Sequence, residues 1–283
     1  MLSGGTRRAR SLALAVLALP LTLTLTSCAT IAGGSDEDSS GLHATSVAGP
    51  AQQSSYGDFA APAQSVPATG NAENAEDAGS SASTGPAHSV PVPGLGSEFS
   101  AQIPEETSQV IVASSPDAKS DSGTLSFYEF TDEKWKKLKT FDTHNGSNGW
   151  LADRREGDKT TPIGVFTLSD AGGYKADPGT KLPYTQDDRL PSSANVAYGA
   201  DYESVFDYII AIDYNRATGK APTDKTRPMG WDKGGGIWLH LDHDSGTNGC
   251  VTLKEKDLKW ILENIDPEAH PRIAMGPEAE LKK

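Results

Sequence analysis

Cysteine is scarce in this chain of 283 residues, which contains only Cys28 and Cys250. Basic residues are also in the minority, because 25 Lys and Arg stand against 38 Asp and Glu and the formal net charge is −13. A chain this acidic lacks the basic face that nucleic-acid binding needs, so a nucleic-acid partner is excluded. The length allows a signal, a spacer and one well-buried domain, since single domains usually have about 100–200 residues.

No apolar run near the N-terminus is long enough to span a bilayer comfortably, which takes roughly 20 residues. Arg7, Arg8 and Arg10 precede an apolar run from Leu12 to Leu25 that Pro20 interrupts. A basic start, a short apolar run and small residues after it are typical of a secretory signal peptide, which we place at residues 1–27. A retained transmembrane helix is the weaker alternative, and the arginine pair also allows twin-arginine export.

The end of this signal reads Leu25-Thr26-Ser27-Cys28. It resembles a bacterial lipobox, in which the cysteine becomes the lipid-modified first residue of the mature protein. The resemblance implies lipidation of Cys28 and an exported protein anchored in the bacterial cell membrane and facing the cell wall. Cys250 then has no partner for a disulfide within the chain. A lone thiol in an exported protein is either an inert buried residue or a reactive one.

Residues 28–97 are rich in Ala, Ser, Gly and Pro, and no Lys or Arg occurs from residue 29 to residue 96. Such a composition buries too little apolar surface to fold, so we predict a disordered tether. A flexible coil of about 70 residues has a root-mean-square span of about 40–50 Å. A domain on this tether reaches from the membrane into the wall.

Residues 98–277 are predicted to form one mainly β domain, followed by a C-terminal tail at 278–283. Short apolar or alternating runs between Gly, Pro, Asp and Asn predict its strands. One helix is predicted, because Leu258, Ile261, Leu262 and Ile265 are spaced as one helical face. The predicted strands are Gln109–Ala113, Thr124–Phe130, Gly164–Leu168, Tyr208–Asn215 and Ile237–Leu241. For the helix, Thr252 and Glu255 are predicted to form a capping box, and Pro267 to end it.

The segment from Gly236 to Leu253 combines a histidine on a strand, a turn and a Gly-Cys pair. A cysteine nucleophile needs a base for its proton and donors for the oxyanion formed when it attacks a carbonyl. Alternation places His240 on the face opposite Ile237, Leu239 and Leu241, next to the turn. Gly249 and Cys250 offer backbone N–H groups, and the following helix is expected to lower the pKa of the Cys250 thiol through its dipole.

This segment resembles the L,D-transpeptidase catalytic domain family of the YkuD type, whose signature is a strand histidine followed by Ser/Thr-His-Gly-Cys and an apolar residue. Thr247, Gly249, Cys250 and Val251 match that signature, and Asn248 stands where the family often has its second histidine. Thr161–Phe166 is similar to the Thr-Pro-x-Gly-x-Phe strand of the family. The resemblance extends from about Ser108 to Met275.

The resemblance implies a YkuD-type β-sandwich with one helix after the catalytic loop, and transfer of an acyl group between peptidoglycan stem peptides. Cys250 would be the nucleophile and His240 the base, and no cofactor is implied. The family's oxyanion hole corresponds to the backbone N–H groups of Asn248, Gly249 and Cys250. Arg154 and Thr247 are candidate substrate-binding residues. For Arg154, an ion pair with Glu156 or Asp158 is the alternative.

Other interpretations of the same residues stay open. With water as acceptor, the enzyme would be an L,D-carboxypeptidase, and with a degenerate site the protein would only bind peptidoglycan. His240, His243 and Cys250 could hold zinc, but positions i and i+3 of a strand point to opposite faces and no fourth ligand stands out. We therefore predict no metal and treat His243 as a solvated loop residue. Sortases also use a Cys and a His, but many more residues separate the two. Papain-like enzymes place the Cys before the His in the chain. Both classes are therefore disfavoured.

Overall fold

A computed structural model of the chain describes residues 86–283. The signal peptide, Cys28 and the tether up to residue 85 lie outside the described residues. Two five-stranded sheets and one two-stranded sheet dominate the described part, which confirms the predicted mainly β class. The strands are β1 (Gln109–Ser115), β2 (Ser122–Thr131), β3 (Lys134–His144), β4 (Trp150–Leu151), β5 (Thr161–Pro162), β6 (Gly164–Thr167), β7 (Ala171–Gly173), β8 (Tyr184–Gln186), β9 (Ile209–Ala211), β10 (Trp238–Leu241), β11 (Val251–Leu253) and β12 (Arg272–Pro277).

The helices are short and lie outside the sheets. They are α1 (Ser97–Ser100), α2 (Leu190–Tyr198), α3 (Glu255–Asn264) and α4 (Glu278–Leu281). Single 3-10 turns occur at Ala200–Tyr202, Trp231–Lys233 and Pro267–Ala269. Among residues 86–283, no helix combines the length and the apolar character that crossing a bilayer requires.

The first sheet has the order β3-β2-β1-β12-β6, and the second has the order β11-β10-β9-β7-β8. In the second sheet, β10 pairs in parallel with β11 and antiparallel with β9. Leu239 lies opposite Val251 and His240 opposite Thr252. This register places the candidate nucleophile, one residue before β11, beside the start of β10.

The two large sheets face each other across the main apolar core, as in a β-sandwich. Ile111 and Phe127 of the first sheet and Leu239 and Val251 of the second belong to this core, and so does the apolar face of α3. Alternation along each strand sends the neighbouring side chains to the outer faces. The predicted alternation of β10 is confirmed, because Ile237, Leu239 and Leu241 are core residues.

The outer face of the first sheet is covered by both ends of the described chain. Val92, Leu95 and Leu281 pack with Val110 and Val112 of β1 in a second apolar cluster. The N–H of Gly96 donates to the carbonyl of Leu281, at 2.7 Å. The predicted domain limits at residues 98 and 277 are therefore too narrow. Val92, Leu95 and Leu281 look isolated in the sequence, but together they complete the apolar layer on the outer face of the first sheet.

The outer face of the second sheet is covered by α2 and the turn after it. Leu190 and Ala194 are the buried residues of α2, and they pack with Val205, Phe206 and Ile209. Tyr198, at the end of α2, packs against the same cluster. This layer covers the side of β10 on which His240 lies.

The predicted capping box before α3 is wrong. The helix begins at Glu255 with Lys254 as its N-cap, and no side chain caps it. Thr252 belongs to β11, where its hydroxyl donates to Asp242 Oδ1 at 2.6 Å and accepts from the N–H of His144 at 3.1 Å. The helix ends at Asn264, before Pro267, which instead begins a 3-10 turn.

Candidate active site

Cys250 lies at the end of the loop that connects β10 to β11. Its Sγ accepts a hydrogen bond from the N–H of Trp238 at 3.4 Å and lies 3.5 Å from the carbonyl oxygen of Gly236. The residue is 6% exposed, and burial raises the pKa of its thiol to about 11, although the Trp238 N–H and the charge of Arg154 oppose the rise. The expected lowering of this pKa by a helix dipole is wrong, because β11 separates Cys250 from α3.

His240 is fully buried on β10. Its Nδ1 lies 2.9 Å from the carbonyl oxygen of Leu241, and its Nε2 lies 3.3 Å from the hydroxyl of Tyr198. A carbonyl only accepts, so Nδ1 carries the proton and Nε2 has a free lone pair. Burial lowers the pKa of His240 to about 3, which keeps the ring neutral. The described residues show no direct hydrogen bond between His240 and Cys250.

His243 is not the solvated loop residue that we predicted. Its ring stacks on that of His240, with centroids 5.8 Å apart and planes 15° apart, and it also packs on Tyr198 at 4.6 Å. Its Nδ1 contacts the hydroxyl of Ser245 at 2.8 Å. The strand ends at Leu241, so the alternation argument does not extend to residue 243. Burial lowers the pKa of His243 as well.

The turn before Cys250 is organised by Thr247, which is buried. The Thr247 hydroxyl accepts from the N–H of Gly249 at 3.0 Å and donates to the carbonyl of Cys250 at 2.7 Å. The N–H of Gly249 is therefore occupied within the turn and does not point to a substrate, contrary to our prediction. Thr247 likewise holds the loop together and has no polar atom left for a substrate. The backbone donors that can form an oxyanion hole are those of Asn248 and Cys250.

Asn248 connects the catalytic loop to α2. Its side-chain Nδ2 donates to the carbonyl of Ala197 at 3.1 Å, next to Tyr198 at the end of α2. The second histidine that many relatives have at this position is thus replaced by a residue that fastens the loop to the end of a helix.

Gly249 is required at its position for two reasons. Its φ of +129° lies in a region that residues with a Cβ rarely adopt, and a Cβ there would lie 2.8 Å from the carbonyl oxygen of Thr160. We expect backbone strain in Gly249→Ala to lower the free energy of unfolding by about 1–3 kcal/mol. The clash with the carbonyl of Thr160 should lower it further. Thermal or urea unfolding measures the change.

Gly179→Ala is the matched control, because Gly179 has a φ of +108° and its added Cβ would meet nothing within 4 Å. The control should show the strain without the clash. Equal losses in the two variants would contradict a close approach at Gly249.

Arg154 lies buried beside the catalytic loop, at 2% exposure. Its Nε donates to the carbonyl of Thr160 at 2.9 Å, its Nη1 donates to the carbonyl of Lys233 at 3.0 Å, and its Nη2 lies 3.6 Å from Asp158 Oδ1. Most of its donors are therefore committed to the protein. The guanidinium still lines the cleft and lowers the pKa of the Cys250 thiol, so it places positive charge where negative charge would form.

A cleft of about 480 Å³ opens over the thiol. A second cleft of about 350 Å³ adjoins it and shares Ser193, Gly236 and Trp238 as walls. The first cleft is lined by Arg154, Glu156, Gly157, Lys159, Ser193, Ala197, Tyr198, Phe206, Gly235, Gly236, Ile237, Trp238, Asn248 and Cys250. Trp238 therefore lines both clefts.

His144 and Asp242, which carried no role in the sequence analysis, are in hydrogen-bonding contact, with Nδ1 of His144 2.9 Å from Oδ1 of Asp242. Asp242 therefore faces His144 and Thr252. In residues 86–283, no group of three or more His, Cys, Asp or Glu side chains is arranged to hold a metal ion.

The sequence analysis did not single out Tyr198. Its hydroxyl lies 3.3 Å from Nε2 of His240, and the carbonyl of its neighbour Ala197 accepts from the side chain of Asn248. The signal that could have found it is Pro191 near the start of α2 and Gly199 directly after its end, the usual asymmetry of helix termini. The polar, serine-containing helix has no strong apolar face, so periodicity did not reveal it.

Comparison with known proteins finds one matching family profile and several similar solved structures. Residues 111–273 match the sequence profile of the L,D-transpeptidase catalytic domain family named YkuD. No curated protein matches the chain. Among solved structures, Bd1075 of Bdellovibrio bacteriovorus is 20% identical, with a TM-score of 0.34, and the match covers 59% of this chain and 47% of that one.

A fused zinc-dependent amidase/peptidase and peptidoglycan-binding domain protein from Clostridium acetobutylicum is 14% identical, with a TM-score of 0.29, over 60% of this chain and 52% of that one. The chain thus spans about half the length of these two solved proteins. The family profile covers more than half of the present sequence, from β1 through the catalytic loop to β12. The chain therefore belongs to the YkuD family of L,D-transpeptidase catalytic domains, which act on peptidoglycan peptides.

Proposed function

We propose that the protein is a cysteine-dependent peptidoglycan L,D-transpeptidase that remodels the cell wall. The observation that carries the proposal is the position of Cys250, whose side chain lines a cleft together with the buried Arg154 and the loop residue Asn248, at the end of the loop that follows the strand of the buried His240. A nucleophile, a base and oxyanion donors are the groups that acyl transfer needs.

In the first step, Cys250 Sγ attacks the carbonyl that follows the L-centre of the third residue of a tetrapeptide stem. The S–C bond forms, the thiol proton is transferred to His240 Nε2, and the oxyanion is held by the N–H groups of Asn248 and Cys250. The C–N bond then breaks, and His240 returns the proton to the departing amine. In the second step, an amine of a neighbouring stem attacks the thioester and releases Cys250.

In the resting site both the Cys250 thiol and the His240 imidazole are uncharged, so the thiolate must form after substrate binds. The pKa of Cys250 is raised to about 11 and that of His240 is lowered to about 3, so thiol and imidazole are both neutral between these values. Attack requires a thiolate, and the oxyanion donors and Arg154 favour negative charge once a carbonyl occupies the cleft. Ionisation of the thiol is therefore coupled to occupation of the cleft.

A peptidoglycan-binding protein without turnover is the second candidate. It is favoured by the absence of a direct hydrogen bond between Cys250 and His240 in the described residues. Incubation of the purified protein with tetrapeptide-stem fragments, followed by mass analysis, separates the possibilities. Cross-linked dimers support the proposal, shortened stems alone indicate an L,D-carboxypeptidase, and unchanged stems that still bind indicate the second candidate.

We also propose that the protein is exported and anchored by lipid on Cys28, with residues 29–85 acting as a tether towards the wall. The support is the sequence pattern around Cys28 and the exclusively acidic charge of the following segment. Stem peptides are consistent with this location, because peptidoglycan lies outside the membrane.

Cys28→Ala should release the protein from membranes into the soluble fraction, because the variant has no acceptor thiol for lipid. Fractionation and metabolic labelling with a fatty acid measure the change. Cys250→Ala is the matched control and should stay membrane-bound and labelled. Membrane retention of the Cys28 variant, together with an unlabelled wild type, would contradict the anchor.

A further inference from the structure

We propose that Arg227 is a specificity-determining residue, whose guanidinium binds the C-terminal carboxylate of the stem peptide that acylates Cys250. The inference rests on the proposed function, because it names the group of the substrate that the second cleft recognises. Arg227 lines this cleft of about 350 Å³, which adjoins the cleft over the thiol.

The two clefts meet at groups that contact the thiol. Gly236 and Trp238 line both clefts, and the Gly236 carbonyl oxygen and the Trp238 nitrogen lie 3.5 and 3.4 Å from Cys250 Sγ. A peptide whose reacting carbonyl lies at the thiol can therefore extend past Trp238 into the second cleft. In a tetrapeptide stem, the residue beyond that carbonyl is the last one and carries the C-terminal carboxylate.

Arg227 has uncommitted donors for such a carboxylate. Among residues 86–283, its guanidinium makes one hydrogen bond, from Nη1 to Oε2 of Glu156 at 3.5 Å. A guanidinium has five N–H donors, and an ion pair with a side chain that is 60% exposed, as that of Glu156 is, contributes little. The remaining donors can bind a carboxylate through two parallel hydrogen bonds.

The other arginines of the two clefts are committed to the protein. Arg154 donates to two backbone carbonyls, those of Thr160 and Lys233. Arg189 lines the second cleft, and its Nε and Nη2 donate to the two carboxylate oxygens of Asp187, at 2.8 and 2.7 Å. Arg227 is therefore the arginine of these clefts that can accept a ligand without giving up a strong internal partner.

The charges that line the second cleft favour an anion. Arg189, Lys225 and Arg227 are cationic, whereas Asp187 and Asp224 are anionic, so three positive charges face two negative ones. Asp187 is paired with Arg189, and Oδ1 of Asp224 accepts from the N–H of Thr226. The net positive charge of the cleft attracts a carboxylate, and Arg227 provides the geometry that binds it.

Two contacts hold Arg227 in this position. Its Cζ lies 4.9 Å from the centre of the Trp231 ring, and its side chain is 14% exposed. The guanidinium also lies against the backbone of Gly235, where a Cβ would come within 2.5 Å of Nη1. Because Gly235 belongs to the wall of the first cleft, Arg227 lies at the boundary between the two clefts. A side chain fixed in this way loses little conformational freedom when a carboxylate binds.

The test measures binding of a synthetic tetrapeptide stem to the full chain with Cys250→Ala, which cannot be acylated. The peptide carries either a free C-terminal carboxylate or a C-terminal carboxamide, and calorimetric titration gives the dissociation constants. Both peptides are compared in this protein and in the same protein with Arg227→Gln. Arg189→Gln is the matched control, because Arg189 lines the same cleft but its donors are taken by Asp187.

We expect the carboxamide to bind about tenfold or more weakly than the carboxylate, because it cannot form a hydrogen-bonded charge pair with Arg227. Arg227→Gln should weaken binding of the carboxylate to the level of the carboxamide and leave binding of the carboxamide unchanged. Arg189→Gln should preserve the preference. Equal affinities for the two peptides, no binding of either, or a loss in Arg227→Gln that is the same for both would each overturn the proposal.

Turnover by the protein with Cys250 intact distinguishes the two stems that take part in the reaction, because donor and acceptor can be different peptides. Amidation of the C-terminus of the donor should lower the initial rate, and amidation of the acceptor should not. A rate that depends on the acceptor's C-terminus instead would overturn the assignment to the donor.

A second measurement covers the case in which Arg227→Gln does not fold. Phenylglyoxal modifies accessible arginines of the unaltered protein, and peptide mapping reports Arg227 and Arg189 separately. The stem with a free carboxylate should protect Arg227 and the carboxamide should not, and an unprotected Arg227 would overturn the proposal. Since binding and protection need no turnover, a stem that binds through Arg227 without being cross-linked would count against the proposed function and not against this inference.

Discussion

Cys250→Ala should reduce the formation of cross-linked stem peptides to background, a loss on the order of 10⁶-fold, because no other group can form the thioester. The fold should survive. The substitution removes one small side chain and its hydrogen bond from the Trp238 N–H, which together cost about 1–3 kcal/mol. Product mass measures activity, and thermal unfolding measures stability.

Cys28→Ala serves as the control for this variant, since it removes the other thiol of the chain and leaves the cleft unchanged. It should keep full activity on soluble stem fragments. Turnover that persists in Cys250→Ala with a normal unfolding transition would remove Cys250 from the mechanism.

His240→Gln should lower turnover by about 10²–10⁴-fold, the usual contribution of a positioned general base. Glutamine keeps a polar side chain at the position but offers no basic nitrogen in place of Nε2. His243→Gln should change turnover little, because Nδ1 of His243 is engaged with Ser245 and its ring stacks behind that of His240. Initial rates with stem fragments measure both variants.

The stacked arrangement makes His243 a demanding control, since His243→Gln removes a ring that packs on His240 but leaves both ring nitrogens of His240 in place. If His243→Gln lowered turnover strongly and His240→Gln changed it little, the general base would be His243, in the turn after β10. Large and equal losses accompanied by bound zinc would support the metal site that the sequence analysis disfavoured.

The sequence predicted the parts of the site that depend on local pattern. Period-two alternation along β10 was sufficient to orient His240. Strand β3 was missed because four of its first six residues are lysines, which hide the buried Trp135 and Phe141. Its partner β2 also has a register shift between Phe127 and Tyr128 that interrupts regular alternation.

Other features depend on contacts between distant segments, which one-dimensional patterns do not contain. The sequence gives no sign that Thr252 binds Asp242 and His144 instead of capping α3. Nor does it indicate that Tyr198, 42 positions before His240, is its hydrogen-bonding partner. The burial of Val92, Leu95 and Leu281 likewise requires both ends of the domain to meet on one sheet.

The loop between β10 and β11 has only nine residues, 242–250, although parallel neighbours are usually joined by a dozen or more. The loop must run back from the end of β10 to the start of β11. Within it, the N–H of Thr247 donates to the carbonyl of Asn145, and the carbonyl of Thr247 accepts from the N–H of Ser147. Because neighbouring strand residues face opposite ways, gaining or losing one residue here would either turn the thiol away from the cleft or break that pairing. The length of this loop is therefore part of the site: we expect even a one-residue insertion or deletion between β10 and β11 to displace the thiol.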